Sequence, residues 1–229
     1  RLMLETHLYG VDLDPQAAEI AVVNLIMRAM ERRQHEKRLP LILNQNVKVG
    51  NALIGARAGD DRLSDHTEAL AQIHRLRAEL VGTPNTDPRH DQIITELRRH
   101  TDAVNAALNS DLDPHFTDLA RVRPFNWGVE FPEVFYKADG TLQANPGFDV
   151  IIGNPPWEIL KPDLREYYAQ FDADIESKLT RRKADMRIEE LNAEDPRREA
   201  GWDLQKQGIE ESAAYFKQTG DYTRQYRGD

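Results

Sequence analysis

Asn154, Pro155, Pro156 and Trp157 close the stretch GFDVIIGNPPW, residues 147 to 157. The two prolines have a fixed φ and no N–H, and each forces the residue before it into an extended conformation, so the turn is stiff. Asn154 Oδ1 and the Pro155 carbonyl can each accept one hydrogen of an exocyclic amine, while Trp157 stacks on the ring that carries it. Accepting both hydrogens draws a conjugated amine toward a tetrahedral, more nucleophilic geometry, and this help strengthens as positive charge builds on nitrogen. The plainer alternative is a strand-ending turn whose tryptophan fills the core.

Such a turn needs a strand to carry it, and FDVIIG, residues 148 to 153, reads as one. The carboxyl ends of parallel strands are where α/β folds place ligand chemistry. Upstream, HLYGVDL (7 to 13) reads as a short buried strand, and Asp14 and Pro15 as the cap and first residue of a helix. In that helix Ile20, Val23, Met27 and Met30 recur at helical spacing, and NVKVGNAL (46 to 53) follows as a second strand. Strand, helix, strand is the unit of a parallel sheet.

Residues 59 to 113 carry no strand signal. Leu63, Leu70, Ile73 and Leu80 share one helical face, Ile93, Leu97, Val104 and Leu108 another, and VGTPNTDPRH lies between them. We expect a helical hairpin inserted into the α/β domain. Nine acids against six bases between residues 60 and 110 suit a packing or partner surface better than a grip on nucleic acid. RPFNWGVEFPEVFY (123 to 136) gathers aromatics, of which Phe125, Trp127, Phe131 and Phe135 are expected in the core; after Trp157 the chain is polar and helical.

The formal charge of −9 argues against a basic coat. The absence of cysteine excludes disulfides and thiolate metal sites, and the seven histidines show no HxxxH or HxH spacing, so no metal is expected. No membrane span or signal peptide is expected, which makes a cytoplasmic location the default.

GFDVIIGNPPW resembles the catalytic motif of S-adenosylmethionine-dependent amino-group DNA methyltransferases, in the Asn form typical of enzymes acting on adenine N6. FNWGVEFPEVF shortly before it is similar to the signature of large single-chain restriction-modification and phage-defence methyltransferases. The resemblance implies catalytic roles for Asn154, Pro155, Pro156 and Trp157, and cofactor contacts for Asp12, Asn51 and Asn154. Asp12 would take the cofactor ribose hydroxyls, for which one carboxylate at a strand end is independently suited because it can accept from both; it could instead be a turn acid. Asn51 stands where the family often has an acid against the cofactor adenine, and could be only a loop asparagine.

The fold implied is a partial Rossmann-like class I methyltransferase core, in an α/β chain with a helical-hairpin insertion and a helical C-terminal segment. The expected divisions are 1–58 and 114–162 for the core, 59–113 for the insertion and 163–229 for the extension. The family's glycine-rich loop would precede residue 1, so the chain reads as an internal fragment, inactive alone, that self-association could cover at its strand edges. Duplex DNA is the expected partner, met through the parent enzyme. Rivals are amino-methyltransferases acting on ribosomal RNA or a protein glutamine, and a non-catalytic helical interaction module.

Overall fold

The computed structural model describes residues 2–30, 42–153 and 161–219. They fall into two units, Arg1–Ile152 and Gly153–Asp229. The first begins with α1 (Leu2–Thr6), β1 (Gly10–Asp12), α2 (Pro15–Met30) and β2 (Val47–Val49). The strands pair in parallel, Gly10 opposite Val47 and Asp12 opposite Val49. Parallel neighbours need a crossover connection, and α2 lies within it. Asp14 starts this helix as its sequence position predicts: its Oδ1 accepts from the Gln16 N–H at 2.9 Å and its carbonyl from the Ala18 N–H at 3.1 Å.

Both strands are shorter than their apolar runs. His7 still donates its N–H to the Met3 carbonyl, extending the turn of α1. Beyond Val49 the Phe125 ring packs on Gly50, where a Cβ would meet it at 2.6 Å, and Asn51 pairs with Pro124 instead of with β1.

The face expected for α2 is reversed. Ile20, Val23, Met27 and Met30 are more than half exposed, whereas Ala18 and Val22 are buried and Leu25, Ile26 and Ala29 pack with them against Leu4, Ile42 and Val47. The helix is apolar nearly all round, so its spacing admits two faces, and the strands take the one with small Ala18.

Residues 148 to 153 form no strand, a second correction. Phe148 is anchored against Tyr9, Trp127 and Phe135, but Val150, Ile151 and Ile152 are 74, 81 and 93% exposed. An apolar run becomes a strand only when a neighbour supplies its hydrogen-bond ladder, and among the described residues none does.

A 3-10 turn at Asp61–His66 leads into α3 (Thr67–Gly82) and α4 (Pro88–Asn109). Leu63, Leu70, Ile73, Leu80, Ile93, Leu97, Val104 and Leu108 are all buried, as their spacing predicts. Asp87 Oδ1 accepts from the Arg89 N–H at 2.8 Å with Pro88 in the first turn, so α4 is capped by residue types legible in the sequence. The short helices α5 (Leu119–Val122), α6 (Trp127–Glu130) and α7 (Pro132–Phe135) follow. Phe125, Phe131 and Phe135 are buried and Trp127 partly so; they share one core with α3 and α4, against which Tyr9 and Val11 also pack.

Two ion pairs bind these layers. Arg77 of α3 meets Glu133 with both carboxylate oxygens, at 2.6 and 2.8 Å. Lys48 of β2 meets Glu130 at 2.5 Å, and Asn105 of α4 donates to the other oxygen of Glu130 at 2.7 Å.

The second unit contains α8 (Leu164–Ala169), α9 (Asp174–Ser177), α10 (Arg181–Glu194) and α11 (Arg197–Gln218). Tyr168, Ile175, Ala184, Ile188 and Leu191 form its core, and the Tyr168 hydroxyl donates to Asn192 Oδ1 at 2.7 Å. Arg181, Arg182 and Lys183 are exposed. Among the described residues no helix is long and apolar enough to cross a membrane, and no group of three or more His, Asp or Glu could hold a metal ion.

Candidate functional site

Because β1 and β2 are parallel and in register, the turns leaving their carboxyl ends lie side by side. Asp12 ends the first strand and is exposed. Its Oδ1 accepts from the Asp14 N–H at 2.8 Å, an Asx turn that fixes the carboxylate, while Oδ2 has no partner among the described residues. The turn-acid and ligand-acid readings of Asp12 are therefore compatible: one oxygen holds the turn and leaves the other without a partner among the described residues.

Asn51 lies two residues past the end of β2. Its Oδ1 accepts from the Leu53 N–H at 3.1 Å, and its own N–H donates to the Arg123 carbonyl at 2.7 Å. The loop from Gly50 to Ala56 is clamped along its length by the segment that opens the aromatic block. Phe125 N–H donates to the Ile54 carbonyl at 2.7 Å, Ala56 N–H to Asn126 Oδ1 at 2.7 Å, and Trp127 Nε1 to the Ala52 carbonyl at 3.0 Å. Gly55 (φ 137°) is required here, since a Cβ would lie 2.5 Å from the Phe125 carbonyl oxygen.

Asn126 is 1% exposed and fully used. Its Nδ2 donates to Asn105 Oδ1 at 2.9 Å and to Asn109 Oδ1 at 3.0 Å, tying the loop to α4. Sequence reasoning assigned the aromatic block to the core and passed over the polar residues inside it. Asn126, Glu130 and Glu133 are what connect that core to β2, α3 and α4. Their spacing within FNWGVEFPE was the available signal, and it becomes readable once the block is seen as two consecutive short helices, α6 and α7.

The electrostatics at the other end of the strands is of a different kind. Burial pushes the Lys48 amine below its ordinary range despite Glu130. Burial alone would raise the Glu130 and Glu133 carboxyls, yet Lys48 and Arg77 respectively, with their hydrogen bonds, hold them below the usual carboxylate value. Burial and the Glu133 charge push the Tyr9 phenol well above its normal range. A cavity of about 400 Å³ beside Thr6, Tyr9, Asn46, His74, Arg77 and Glu133 lies at this amino end, away from Asp12 and Asn51.

The structure thus brings Asp12 and Asn51 to one edge. Asn154, Pro155, Pro156 and Trp157 lie outside the described residues; the chain leading to them is exposed from Asp149 to Gly153.

Comparison with known proteins bears on the family. Residues 6–186 match the family described as Eco57I restriction-modification methylase. A protein of Methanocaldococcus jannaschii, provisionally named a type II restriction enzyme and methyltransferase, is 22% identical over 239 aligned residues, which cover 72% of this chain and 19% of that protein. The chain therefore spans about a fifth of the length of this relative. No solved structure matches the chain. With the family match running through both strands, the helical pair, the aromatic block and the NPPW stretch, the chain belongs to the Eco57I restriction-modification methylase family.

Proposed function

We propose that the protein to which this chain belongs transfers a methyl group from S-adenosylmethionine to the N6 amine of an adenine flipped out of duplex DNA, in restriction-modification or phage defence. Membership of the methylase family carries the reading, and the arrangement of the strand ends supports it. Within it, β1, α2 and β2 are the part of a Rossmann-like core that receives the cofactor.

The described residues fit the cofactor. Asp12 presents a carboxylate oxygen unused by its neighbours at a strand end, suited to a ribose diol. Asn51 is held by backbone and side-chain hydrogen bonds in the adjacent turn, and its Nδ2 has no partner among the described residues. Because its Oδ1 already accepts from Leu53, donation from Nδ2 to an adenine ring nitrogen complements any acceptance by Oδ1. When bound, S-adenosylmethionine supplies an electrophilic methyl group on a sulfonium.

Asn154 Oδ1 and the Pro155 carbonyl orient the target amine, Pro156 stiffens the turn and Trp157 stacks on the base. Flipping is needed because the amine must meet the methyl group in line. The test uses the intact protein, S-adenosylmethionine and mixed-sequence duplex DNA, followed by mass spectrometry of digested nucleosides. We expect N6-methyladenine, abolished in Asn154→Ala while cofactor affinity stays nearly unchanged. Methylated cytosine would move the substrate, and equal loss of methylation and cofactor binding in the variant would remove the role given to Asn154.

A further inference from the structure

Arg123 stands between the two turns that carry Asp12 and Asn51. Its carbonyl accepts from the Asn51 N–H at 2.7 Å. Its Nη1 donates to the carbonyl of Leu13, the residue after Asp12, at 3.0 Å and across 110 residues of sequence. The parallel ladder ends close by, where Gly50 N–H donates to the Asp12 carbonyl at 2.8 Å. Beyond that bond Arg123 joins both turns at once, by its backbone to one and its guanidinium to the other.

Its backbone is costly for such a residue. Arg123 has φ 52° and ψ 60°, in the left-handed region, where an L residue other than glycine is disfavoured by roughly 1–2 kcal/mol. It also precedes Pro124, and a residue before proline is driven toward extended backbone. Glycine would meet the turn at lower cost, so the conformation alone does not account for an arginine. The conformation is nevertheless fixed from behind: the Arg123 N–H donates to the Leu119 carbonyl at 2.9 Å, closing α5, whose start is capped by Asp118 Oδ1 accepting from the Arg121 N–H at 3.1 Å. A local rule broken in a well-held place, at the edge where two binding turns meet, is the pattern of a functional site.

We infer that Arg123 is a positioning residue for the cofactor, holding the Asp12 and Asn51 turns at one separation so that a single ligand can reach both. The inference rests on the cofactor site proposed above. Asp12 and its neighbours Leu13 and Asp14 are exposed, as are Ala52 and Leu53, so core packing does little to set the distance between the tips. A cross-link between them does, and ligand contacts tolerate only about 0.5 Å of misplacement.

The experiment measures S-adenosylmethionine affinity by calorimetry and thermal stability on the intact protein and two variants. Arg123→Gly keeps the carbonyl and suits the left-handed backbone while deleting the guanidinium; Arg123→Lys restores one charged donor. Affinity is expected to fall about tenfold in Arg123→Gly with no fall in Tm, and to recover in large part in Arg123→Lys. Unchanged affinity in Arg123→Gly overturns the positioning role, and so does a loss of affinity that comes with a lower Tm and no recovery in Arg123→Lys. No binding by the unsubstituted protein overturns the cofactor site itself, and this inference with it.

Discussion

The two ends of one strand pair are built on opposite principles. At the amino end polar groups are buried and matched: Asn46 Nδ2 donates to the carbonyls of Glu5 and Leu8 at 3.0 and 3.3 Å, and Arg77 meets Glu133 and the Gln45 carbonyl. At the carboxyl end Asp12 and Arg123 are exposed, and the Asp12 carboxylate has one oxygen unpartnered among the described residues. Under the proposed function, the difference separates the residues of stability from those of recognition. A buried pair is held by its own geometry and punishes loss of either partner, whereas an exposed turn can give up a side chain with little effect on folding and a large one on binding.

The largest effect expected from breaking this contrast is at Arg77. Its side chain is 8% exposed and that of Glu133 25%, and Arg77→Ala would leave the half-buried Glu133 carboxylate without its cation, lowering stability by about 2–3 kcal/mol as measured by denaturant unfolding. At the other end Asp12→Ala should change stability by less than about 0.5 kcal/mol while weakening S-adenosylmethionine at least about tenfold by calorimetry. A destabilised Asp12→Ala protein would erase the distinction.

Acid sharpens it. The Glu130 and Glu133 carboxyls lie below the ordinary value of 4.5 in the folded protein. The unfolded chain therefore takes up their protons first, so their contribution is present above about pH 4.5 and is lost as the pH falls toward the folded values. Unfolding free energy should decline over that window, and Glu133→Gln, though less stable throughout, should decline less steeply. The smallest effect belongs to Ile20, which is 62% exposed: Ile20→Gln should shift stability by no more than about 0.5 kcal/mol, where Ala18→Gln on the opposite face of α2 should be far more damaging.

The same contrast explains what could be read from the sequence. The α3 and α4 faces, the Asp87–Pro88 and Asp14–Pro15 starts and the order of β1 and β2 all follow from local spacing and capping chemistry, because each is decided within a few residues. Asp12 and Asn51 could be placed at strand ends for the same reason. The face of α2 could not, since its apolar residues surround the helix and the strands make the choice. Residues 148 to 153 read as a strand on composition, but strand formation is a property of a pair. The internal ion pairs were hidden because Arg77, Lys48, Glu130 and Glu133 look like solvated charges until the chain places them opposite one another. Arg123 was least legible of all, as the proline after it argues for a different backbone.

The clamp on the 50 to 56 loop also orders the events of folding. The α3 and α4 helices are separated by five residues, 83 to 87, and share many buried side chains, so they can pair as soon as both have left the ribosome. The loop beyond β2 must wait for residues 123 to 127, and Lys48 for Glu130, 82 positions later. Gly50 N–H reaches back to the Asp12 carbonyl, but the bonds from Arg123, Phe125, Asn126 and Trp127 that hold the rest of the loop come from a segment synthesised after the helical pair. The helical pair is thus the surface on which the late segment lands, and the edge carrying Asp12 and Asn51 is completed only when FNWGVEFPEVF closes over it.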